Sequence, residues 1–374
     1  MLRLERLVLT DFRSYAALAW RPSRRIAALH GPNGSGKTNL LEAVSLLIPG
    51  RGLRGARPGE LARKDGPGRW AVAASFATAH GPVDIGTGSA PDGGSDRRVF
   101  RLDGAAPRFQ AQVAERVGAV WLTPRMDRLF HDGLSGRRRF LDRLVWALEP
   151  GHAREVAAHD TAMQGRNRLL AERRGERAWL AGIEEAMARH AVAATAARAA
   201  LVRRLNAEAQ ARAAPGFPVA ELALACPIAA RLASEPAVAV EDWLRAELAG
   251  GRDRDARAGG AVLGAHRCDL AMRDAATGMA AELCSTGQQK ALLVGTVLAH
   301  ARLAAEARGF PPLLLLDEPL THLDATRREA LCAALAASDS QVLVTGTDAE
   351  AFRPLGGAAE FLRAGDGRLE PDAA

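Results

Sequence analysis

The sequence predicts an α/β fold whose mixed sheet is built from both ends of the chain, with a mainly helical arm inserted between them. Strand-like alternation and a strand–loop–helix pattern fill the first part, and α/β patterning returns near the end. Between them, from about Gly136 to Arg212, apolar residues recur at three- and four-residue spacing. We therefore expect a head domain from residues 1–127 and 259–374, and a helical arm domain from residues 128–258.

The composition is that of an ordinary globular chain. Its 374 residues are 48% hydrophobic and 25% charged, and no run approaches the roughly 18 apolar residues of a membrane span. The N-terminus is charged, unlike a signal peptide, and the four cysteines are scattered without metal-ligand spacing. We expect a cytoplasmic protein with free thiols and no membrane contact. A net charge of +7 permits nucleic-acid binding without demonstrating it.

Strand patterns dominate the first part of the chain. Residues 2–30 alternate in strand fashion, and residues 70–76 resume that pattern. Residues 91–96 are expected to be a turn, and residues 97–102 together with Asp103-Gly104 suggest a hairpin. Residues 120–124 are expected to form the last strand before the helical region.

Two stretches beyond the helical region lack clear periodicity. Ala213–Pro236 is rich in Ala and Pro, and we expect it to be irregular. Gly250–Gly260 is a run of charges flanked by glycines, which favours a mobile connection.

One stretch has the full pattern of a phosphate-binding loop. Its glycines let backbone N–H groups surround phosphate oxygens, Lys37 reaches the β- and γ-phosphates, and the Thr38 hydroxyl ligates Mg²⁺. A strand precedes the loop and a helix follows it, which a glycine-rich surface turn does not require. The sequence therefore predicts a nucleoside triphosphate site, with ATP and Mg²⁺ as cofactors. The loop consists of Gly31, Pro32, Asn33, Gly34, Ser35, Gly36, Lys37 and Thr38.

Two adjacent acids supply the second half of this site. Leu313–Leu316 is an aliphatic run typical of a buried parallel strand, and Asp317 and Glu318 follow it. Ligands of an open α/β sheet lie beyond the carboxyl ends of its strands. Asp317 is therefore expected to hold Mg²⁺, and Glu318 to activate the attacking water as general base. The alternative is an acidic turn that ends the strand and has no catalytic role. That alternative does not explain why the acids occur together with a phosphate loop.

Two further motifs indicate the class of nucleotide hydrolase. Ser285, Gly287 and Gln288 stand before a helix and resemble the signature of ABC-type ATPases. A simple Ser helix cap is the alternative for that segment alone. Leu323 and Asp324 follow the acidic pair and resemble the D-loop of the same class. The motifs together, in this order along the chain, predict an ABC-type ATPase head. In that class the signature engages the nucleotide bound by the other protomer.

Two departures from the class refine this prediction. The histidine expected after strand 341–344 is missing, and Thr345-Gly346-Thr347-Asp348 stands there, so we expect slow hydrolysis. Thr38 and Leu313 are also much further apart than in transporter subunits. The intervening helical region is therefore an insertion that splits the head, as in SMC-like ATPases. It lacks the sustained heptads of a long coiled coil.

Six segments spread over the chain together resemble the motifs of one protein family. They are Asp11–Tyr15, Gly31–Thr38, Thr123–Asp142, Gln164–Leu170, Gly264–Leu270 and Ser285–Lys290. On these segments the chain resembles, from end to end, the RecF family of bacterial recombination-mediator ATPases. Ala265 and Cys268 depart from the family pattern, whereas His266, Arg267 and Asp269 agree with it.

The resemblance implies a biological role that composition and spacing do not. It implies a homodimer formed with ATP, in which each nucleotide lies between one protomer's phosphate loop and the other's signature. It also implies binding to double-stranded DNA near single-strand gaps, and cooperation with RecR and RecO in loading RecA. The associated processes are DNA replication, recombination, repair of DNA damage and the SOS response.

Contacts to DNA and to the adenine base are the least localised expectations. Arg137, Arg138 and Arg139 are candidates for DNA contact, although a solvated arginine-rich face or a brace between domains are alternatives. Arg51, Arg54 and Arg57 form a second candidate cluster. Family analogy makes Arg13 and Tyr15 candidates for the nucleotide pocket.

Three other classes of protein are alternatives to the RecF family. A transporter nucleotide-binding subunit conflicts with the long insertion, the missing histidine and the basic charge. A small-molecule kinase leaves the signature and D-loop unexplained. Another SMC-like ATPase with a different biological role is the remaining alternative.

Overall fold

The computed structural model describes residues 2–90, 97–131, 133–172, 177–212 and 217–372. Within these residues the chain divides into two compact units. The first contains the chain up to Asp127, Phe217–Pro218 and the chain from Ser285 onward, and the second contains Arg128–Arg212 and Val219–Cys284. Over the described part of the chain, no helix is long and apolar enough to cross a membrane.

The strands are numbered in chain order. They are β1 (Arg3–Phe12), β2 (Tyr15–Trp20), β3 (Ile26–His30), β4 (Ala71–Thr78), β5 (Gly81–Ser89), β6 (Arg98–Leu102), β7 (Ala119–Leu122), β8 (Ala220–Ala225), β9 (Asp269–Asp274), β10 (Leu313–Leu316), β11 (Val342–Thr345), β12 (Ala359–Gly365) and β13 (Arg368–Pro371).

The α-helices follow the same convention. They are α1 (Lys37–Leu46), α2 (Gln110–Arg116), α3 (Leu134–Leu148), α4 (His152–Glu172), α5 (Arg177–Ala211), α6 (Pro227–Leu232), α7 (Ala237–Gly250), α8 (Arg252–Ala258), α9 (Thr286–Arg308) and α10 (Ala325–Ala337).

The first unit contains two sheets. One has the order β13-β12-β3-β11-β10-β7 among the described residues, and its neighbours are parallel except for the terminal pair β12 and β13. β3, β10 and β11 are buried along their whole length, which explains their continuous aliphatic sequences. Both chain ends are therefore needed to complete this sheet, as the sequence predicts.

The second sheet of this unit is antiparallel, in the order β2-β1-β4-β5-β6. Its strands alternate buried and exposed residues, so one face packs inward, as Leu7 and Leu9 of β1 do. Helix α1 contacts strands of both sheets and shares one hydrophobic core with them. Residues 98–102 form β6 as expected, but the hairpin expected at Asp103-Gly104 is wrong: within the described chain only a single bridge between Leu102 and Ala105 follows that turn, and β6 pairs instead with the preceding strand β5. The expected turn at residues 91–96 lies outside the described residues.

The second unit is mainly helical, as predicted. The long helix α5 packs against α4 and α7, and small residues such as Ala191 and Ala194 let it approach them closely. β8 and β9 add a two-stranded antiparallel sheet to this unit. Asn206 of α5 fixes one strand of that sheet, because its side-chain amide exchanges two hydrogen bonds of 2.9 Å with the backbone of Leu222.

The expectation of an irregular Ala213–Pro236 segment is wrong for its described part. It contains β8 and α6. β8 forms because its partner β9 comes from a distant part of the chain, which local composition does not reveal. Pro227 is the first residue of α6, a position where proline is favoured because the missing N–H would be unpaired there anyway.

The expected mobile connection at Gly250–Gly260 is also wrong. Residues 252–258 form helix α8, and Asp255 in its middle is buried. The Asp255 carboxylate accepts a hydrogen bond of 2.7 Å from Arg166 Nη1, and Glu184 accepts one of 3.0 Å from Arg166 Nε. A buried ion-pair network therefore holds a segment that looks like a solvated charge run in sequence.

The unit boundaries differ from the sequence expectation at one end. The chain divides after Asp127 and after Cys284, whereas the sequence expectation set the second division after residue 258. The reason is the pairing of β9 with β8, which keeps residues 259–284 with the helical unit.

Candidate functional site

The phosphate loop connects β3 to α1 at the carboxyl end of the parallel sheet. Lys37 is the first residue of α1, and its side chain folds back over the loop. Its ammonium donates hydrogen bonds of 2.7 Å to the Gly31 carbonyl and 2.8 Å to the Pro32 carbonyl. Burial lowers the pKa of Lys37, while the carboxylates of Glu318 and Asp317 oppose that shift. The loop therefore holds a cation beside two acids.

Tyr15 supports the loop from within the protein. Its hydroxyl is buried and donates a hydrogen bond of 3.1 Å to the Gly36 carbonyl. Gly36 has a φ of 102°, and a Cβ there would lie 2.8 Å from Ser14 Oγ and 2.9 Å from the Tyr15 hydroxyl. Only glycine fits this position, for both conformational and steric reasons. Tyr15 thus braces the phosphate loop from behind.

Arg13, the other candidate for the nucleotide pocket, also has partners within the protein. Its guanidinium donates hydrogen bonds of 2.8 and 2.9 Å to the two carboxylate oxygens of Glu42. Glu42 is buried on α1, and Arg54 is its second cationic partner at 3.3 Å. This pairing ties the β1–β2 turn and the loop after α1 to the helix that carries Lys37.

The two acids that follow β10 are linked to the loop by a chain of hydrogen bonds. The Thr38 hydroxyl donates to Asp317 Oδ1 at 2.9 Å. Thr345, at the end of neighbouring β11, donates to the same oxygen at 2.7 Å. The Thr345 oxygen accepts from the Glu318 N–H at 3.0 Å. The structure therefore brings together four residues from three distant segments of the chain.

Of these residues, Thr38 and Glu318 border an open cleft whose volume is about 340 Å³ with its open solvent included. Asn39 and Arg54 also line it, and sequence reasoning missed both for this site. They contact each other, because Arg54 Nη1 donates to Asn39 Oδ1 at 2.8 Å. The described lining residues are Asn33, Gly34, Ser35, Gly36, Lys37, Thr38, Asn39, Arg54 and Glu318.

The signature residues begin α9 and are not among the described residues that line this cleft. Ser285 is exposed and caps the helix, since its hydroxyl accepts from the Gln288 N–H at 3.3 Å. The Gln288 side chain accepts in return from the Ser285 N–H at 2.9 Å, which completes a capping box. Helical N–H groups at this exposed end favour an anion.

Gly287 joins the signature to the D-loop. A Cβ at this position would lie 2.6 Å from the His322 carbonyl oxygen, so only glycine permits this approach. Leu323 is buried, and Asp324 is exposed and caps α10 by accepting from the Arg327 N–H at 2.8 Å. The two motifs are therefore neighbours in the fold.

Lys290, which follows the signature, has a partner within the same unit. Its buried ammonium donates hydrogen bonds of 2.7 and 2.8 Å to the two carboxylate oxygens of Asp127. This ion pair ties α9 to the segment after β7.

The three candidate DNA-contacting arginines have different surroundings. Arg137 donates hydrogen bonds of 2.7 and 2.8 Å to both carboxylate oxygens of Asp269, which raise the pKa of its guanidinium. Arg138 is half-buried near the Cys268 carbonyl. Arg139 is exposed. Arg137 therefore braces α3 against the start of β9, and Arg139 is the member that faces solvent.

Comparison with known proteins identifies relatives over nearly the whole chain, although no protein-family model matches it. A DNA replication and repair protein RecF from Mesorhizobium japonicum is 48% identical over 369 residues, covering 98% of this chain and 97% of the relative. A protein of the same description from Agrobacterium fabrum is 47% identical over 368 residues, covering 98% of both chains.

Solved structures show the same fold. A structure of the recombination mediator protein RecF-ATPrS in the RecFOR pathway has a TM-score of 0.83 at 20% identity, covering 100% of this chain and 98% of the other. The Smc head domain from Pyrococcus furiosus, with an extended coiled coil, has a TM-score of 0.54 at 18% identity, covering 100% of this chain and 96% of the other.

The protein has the fold of an ABC-type ATPase head with an inserted helical domain. Three features define this class: the phosphate loop, strand β10 followed by two acids, and a sheet built from both chain ends. Within that class, nearly full-length identity above 45% separates it from the more distant SMC heads. The chain belongs to the RecF family.

Proposed function

We propose that this protein is an ATP-dependent DNA-binding protein of recombinational repair, acting in the cytoplasm. The observation that carries the nucleotide part is the hydrogen bond between Thr38 and Asp317, beside the Lys37 ammonium and Glu318. Membership of the RecF family and the nucleotide named in the RecF-ATPrS structure support ATP as the nucleotide.

The residues at the cleft fit a nucleotide with Mg²⁺. The Thr38 hydroxyl and the Asp317 carboxylate supply oxygen ligands of the kind that Mg²⁺ prefers, and they lie 2.9 Å apart. When bound, Mg²⁺ would neutralise charge on the β- and γ-phosphate oxygens. Lys37 is placed to exchange its loop carbonyl partners for phosphate oxygens.

Glu318 is proposed as the general base. It borders the cleft and is half-buried. Its carboxylate would take a proton from the attacking water, whose oxygen bonds to the γ-phosphorus as the bond to the ADP oxygen breaks. The products are ADP and phosphate. With Thr345 and Thr347 where the class has a histidine, no imidazole from this strand end assists, so we propose slow hydrolysis that acts as a switch.

A second protomer would complete the site. Ser285, Gly287 and Gln288 form a helix start suited to an anion, in which Ser285 is exposed and the other two are partly exposed. They are not among the described residues that line their own chain's cleft. We propose that they contact the γ-phosphate held by a second copy of the chain, with Leu323 and Asp324 beside them. ATP then acts as the link between two protomers.

DNA and protein partners follow from the family. We propose that the dimer binds duplex DNA near single-strand gaps and cooperates with RecR and RecO to promote RecA loading. The net charge of +7 and the exposed Arg139 support contact with phosphate groups. Such contact would be largely independent of base sequence.

Sedimentation velocity with and without ATP and Mg²⁺ tests the nucleotide-linked dimer. We expect the wild type to be a monomer without ATP and a dimer with it. Glu318→Gln should remain dimeric for longer, because hydrolysis would no longer release the partner. Ser285→Arg should remain monomeric while still binding ATP, because its bulk and charge obstruct the signature surface.

Ser234→Arg is the matched control, since it adds the same charge at another exposed serine. It should dimerise as the wild type does. A wild type that stays monomeric with ATP, or a Ser285→Arg variant that dimerises normally, would refute the two-protomer site.

A further inference from the structure

The acidic pair at the cleft depends on a residue that does not line the cleft. Thr345 ends β11, which runs parallel to β10 with Val344 opposite Leu316. This register places the Thr345 side chain beside the first residues after β10. Thr345 is fully buried and is not among the described residues that border the open cleft.

One hydroxyl serves both acids. The Thr345 O–H donates to Asp317 Oδ1 at 2.7 Å, and its oxygen accepts from the Glu318 N–H at 3.0 Å. A threonine hydroxyl has one hydrogen to donate and lone pairs to accept with, so both bonds form at once. A valine of the same shape would provide neither.

The backbone at Glu318 needs this support. Its φ is 51°, in the left-handed region that residues with a side chain rarely adopt. Such a conformation persists only where surrounding groups hold it, and the hydrogen bond from the Glu318 N–H to Thr345 is one such restraint. The same bond therefore helps to set the direction of the Glu318 side chain.

Thr38 does not provide an equivalent support for Asp317. Its hydroxyl also donates to Asp317 Oδ1, at 2.9 Å, but that hydroxyl is itself a proposed Mg²⁺ ligand. Its partner therefore changes with the nucleotide state. Thr345 is fully buried and is not itself a proposed Mg²⁺ ligand, so its bond to Asp317 does not need to break when Mg²⁺ binds.

We propose that Thr345 is a positioning residue for ATP hydrolysis, whose hydroxyl orients the Mg²⁺-holding Asp317 and the general base Glu318. This inference rests on the proposed ATPase function. Outer groups of this kind orient the residues that hold a metal, and their loss typically reduces metal affinity or activity by roughly 10- to 100-fold.

The test compares four variants of the full-length protein. Thr345→Val removes the hydroxyl, Thr345→Ser keeps it without the methyl group, and Thr345→Cys replaces it with a weak thiol donor. Thr161→Val is the control, because it removes the hydroxyl of an exposed threonine on α4. The measurements are kcat and KM for ATP, and the Mg²⁺ concentration that half-saturates both hydrolysis and the binding of a fluorescent ATP analogue.

We expect Thr345→Val to lower kcat by about 10-fold or more and to raise the half-saturating Mg²⁺ concentration, with little change in KM for ATP. Thr345→Ser and Thr161→Val should stay close to wild type. Thr345→Cys should also have a lower kcat than the wild type. If Thr345→Val does not fold, Thr345→Cys is compared with Thr345→Ser in its place.

Two results would overturn the inference. Thr345→Val and Thr345→Cys could both match the wild type in kcat and Mg²⁺ dependence. Alternatively, Thr345→Ser could be as impaired as Thr345→Val, which would assign the effect to packing of the methyl group. Measuring Glu318→Gln in parallel distinguishes failure of the Thr345 inference from failure of the proposed ATPase function. If the wild type hydrolyses no more ATP than Glu318→Gln, the ATPase proposal fails, and the Mg²⁺ dependence of analogue binding still tests Thr345.

Discussion

Tyr15 is the chain's single tyrosine, and its hydroxyl hydrogen bond to Gly36 connects the hydrophobic core to the phosphate loop. Such a bond between buried neutral groups contributes about 1 kcal/mol to stability. Its importance lies in where it acts, because Gly36 immediately precedes Lys37. Family analogy makes Tyr15 a candidate for the nucleotide pocket, and in this fold its side chain holds the backbone of the phosphate loop.

Tyr15 should ionise at unusually high pH. Burial disfavours the phenolate and raises the pKa of Tyr15 above its ordinary value of about 10. The raised pKa adds stability that is fully present below about pH 10 and is lost as the pH rises toward the folded-state pKa. Because this is the only tyrosine, tyrosinate absorbance in the near ultraviolet reports it alone. We expect ionisation near pH 10 in denaturant and clearly higher in the native protein.

Tyr15→Phe supplies the blank for this titration, since it should show no tyrosinate signal at any pH. A native protein that forms tyrosinate at the same pH as the denatured chain would contradict the buried, hydrogen-bonded position.

Helix α9 makes two kinds of contact along its length. Its N-cap Ser285 is exposed, and its first turn brings Gly287 against the His322 carbonyl. Further along, a Cβ at Gly295 would lie 3.5 Å from the Pro218 carbonyl oxygen and 3.7 Å from the Phe217 ring, which are ordinary contact distances. The same helix therefore contains one glycine that the packing requires and one that it does not.

Alanine substitution should separate these two glycines. Gly295→Ala should stabilise the protein by about 0.5–1 kcal/mol, because glycine lowers helix stability. Gly287→Ala should destabilise it by about 1–3 kcal/mol despite the same helical gain, since its Cβ would lie 2.6 Å from a backbone oxygen. Chemical denaturation measures both changes. Equal stabilisation of the two variants would rule out the close contact between signature and D-loop.

For the molecule as a whole, the excess of positive charge has a consequence for DNA binding. A net charge of +7 attracts a polyanion in general, whereas a localised contact depends on which arginines are free to reach phosphate. Arg137 is engaged by Asp269, and Arg139 is exposed. The contribution of the arginine cluster should therefore come mainly from Arg139.

Salt dependence tests this assignment. Affinity for a labelled gapped duplex, measured by fluorescence anisotropy, should fall steeply as salt increases. Arg139→Ala should reduce the slope of log K against log salt by about 1, because one phosphate contact is lost. Arg257→Ala removes another exposed arginine and should leave the slope unchanged. Identical slopes for wild type and Arg139→Ala would place the DNA contact elsewhere.

Local motifs made much of this protein predictable from sequence. The phosphate loop, the strand ending in Asp317 and the start of α9 each depend on short-range features: glycines at fixed spacing, an aliphatic run and a helix cap. The order of these motifs also predicted that both chain ends build one sheet around an inserted helical unit. The structure confirms that architecture.

Only the tertiary structure decided what depends on distant partners. β8 is a strand because β9 pairs with it, and α8 is ordered because Asp255 meets Arg166 across the core of the second unit. The same holds at the candidate site, where Thr345 reaches two acids only because β10 and β11 are neighbours. Sequence determines which residues form loops, strands and caps, since those depend on nearby chain. Packing determines which buried polar groups form hydrogen bonds with one another, because a buried donor or acceptor can bond only to groups that the fold places next to it.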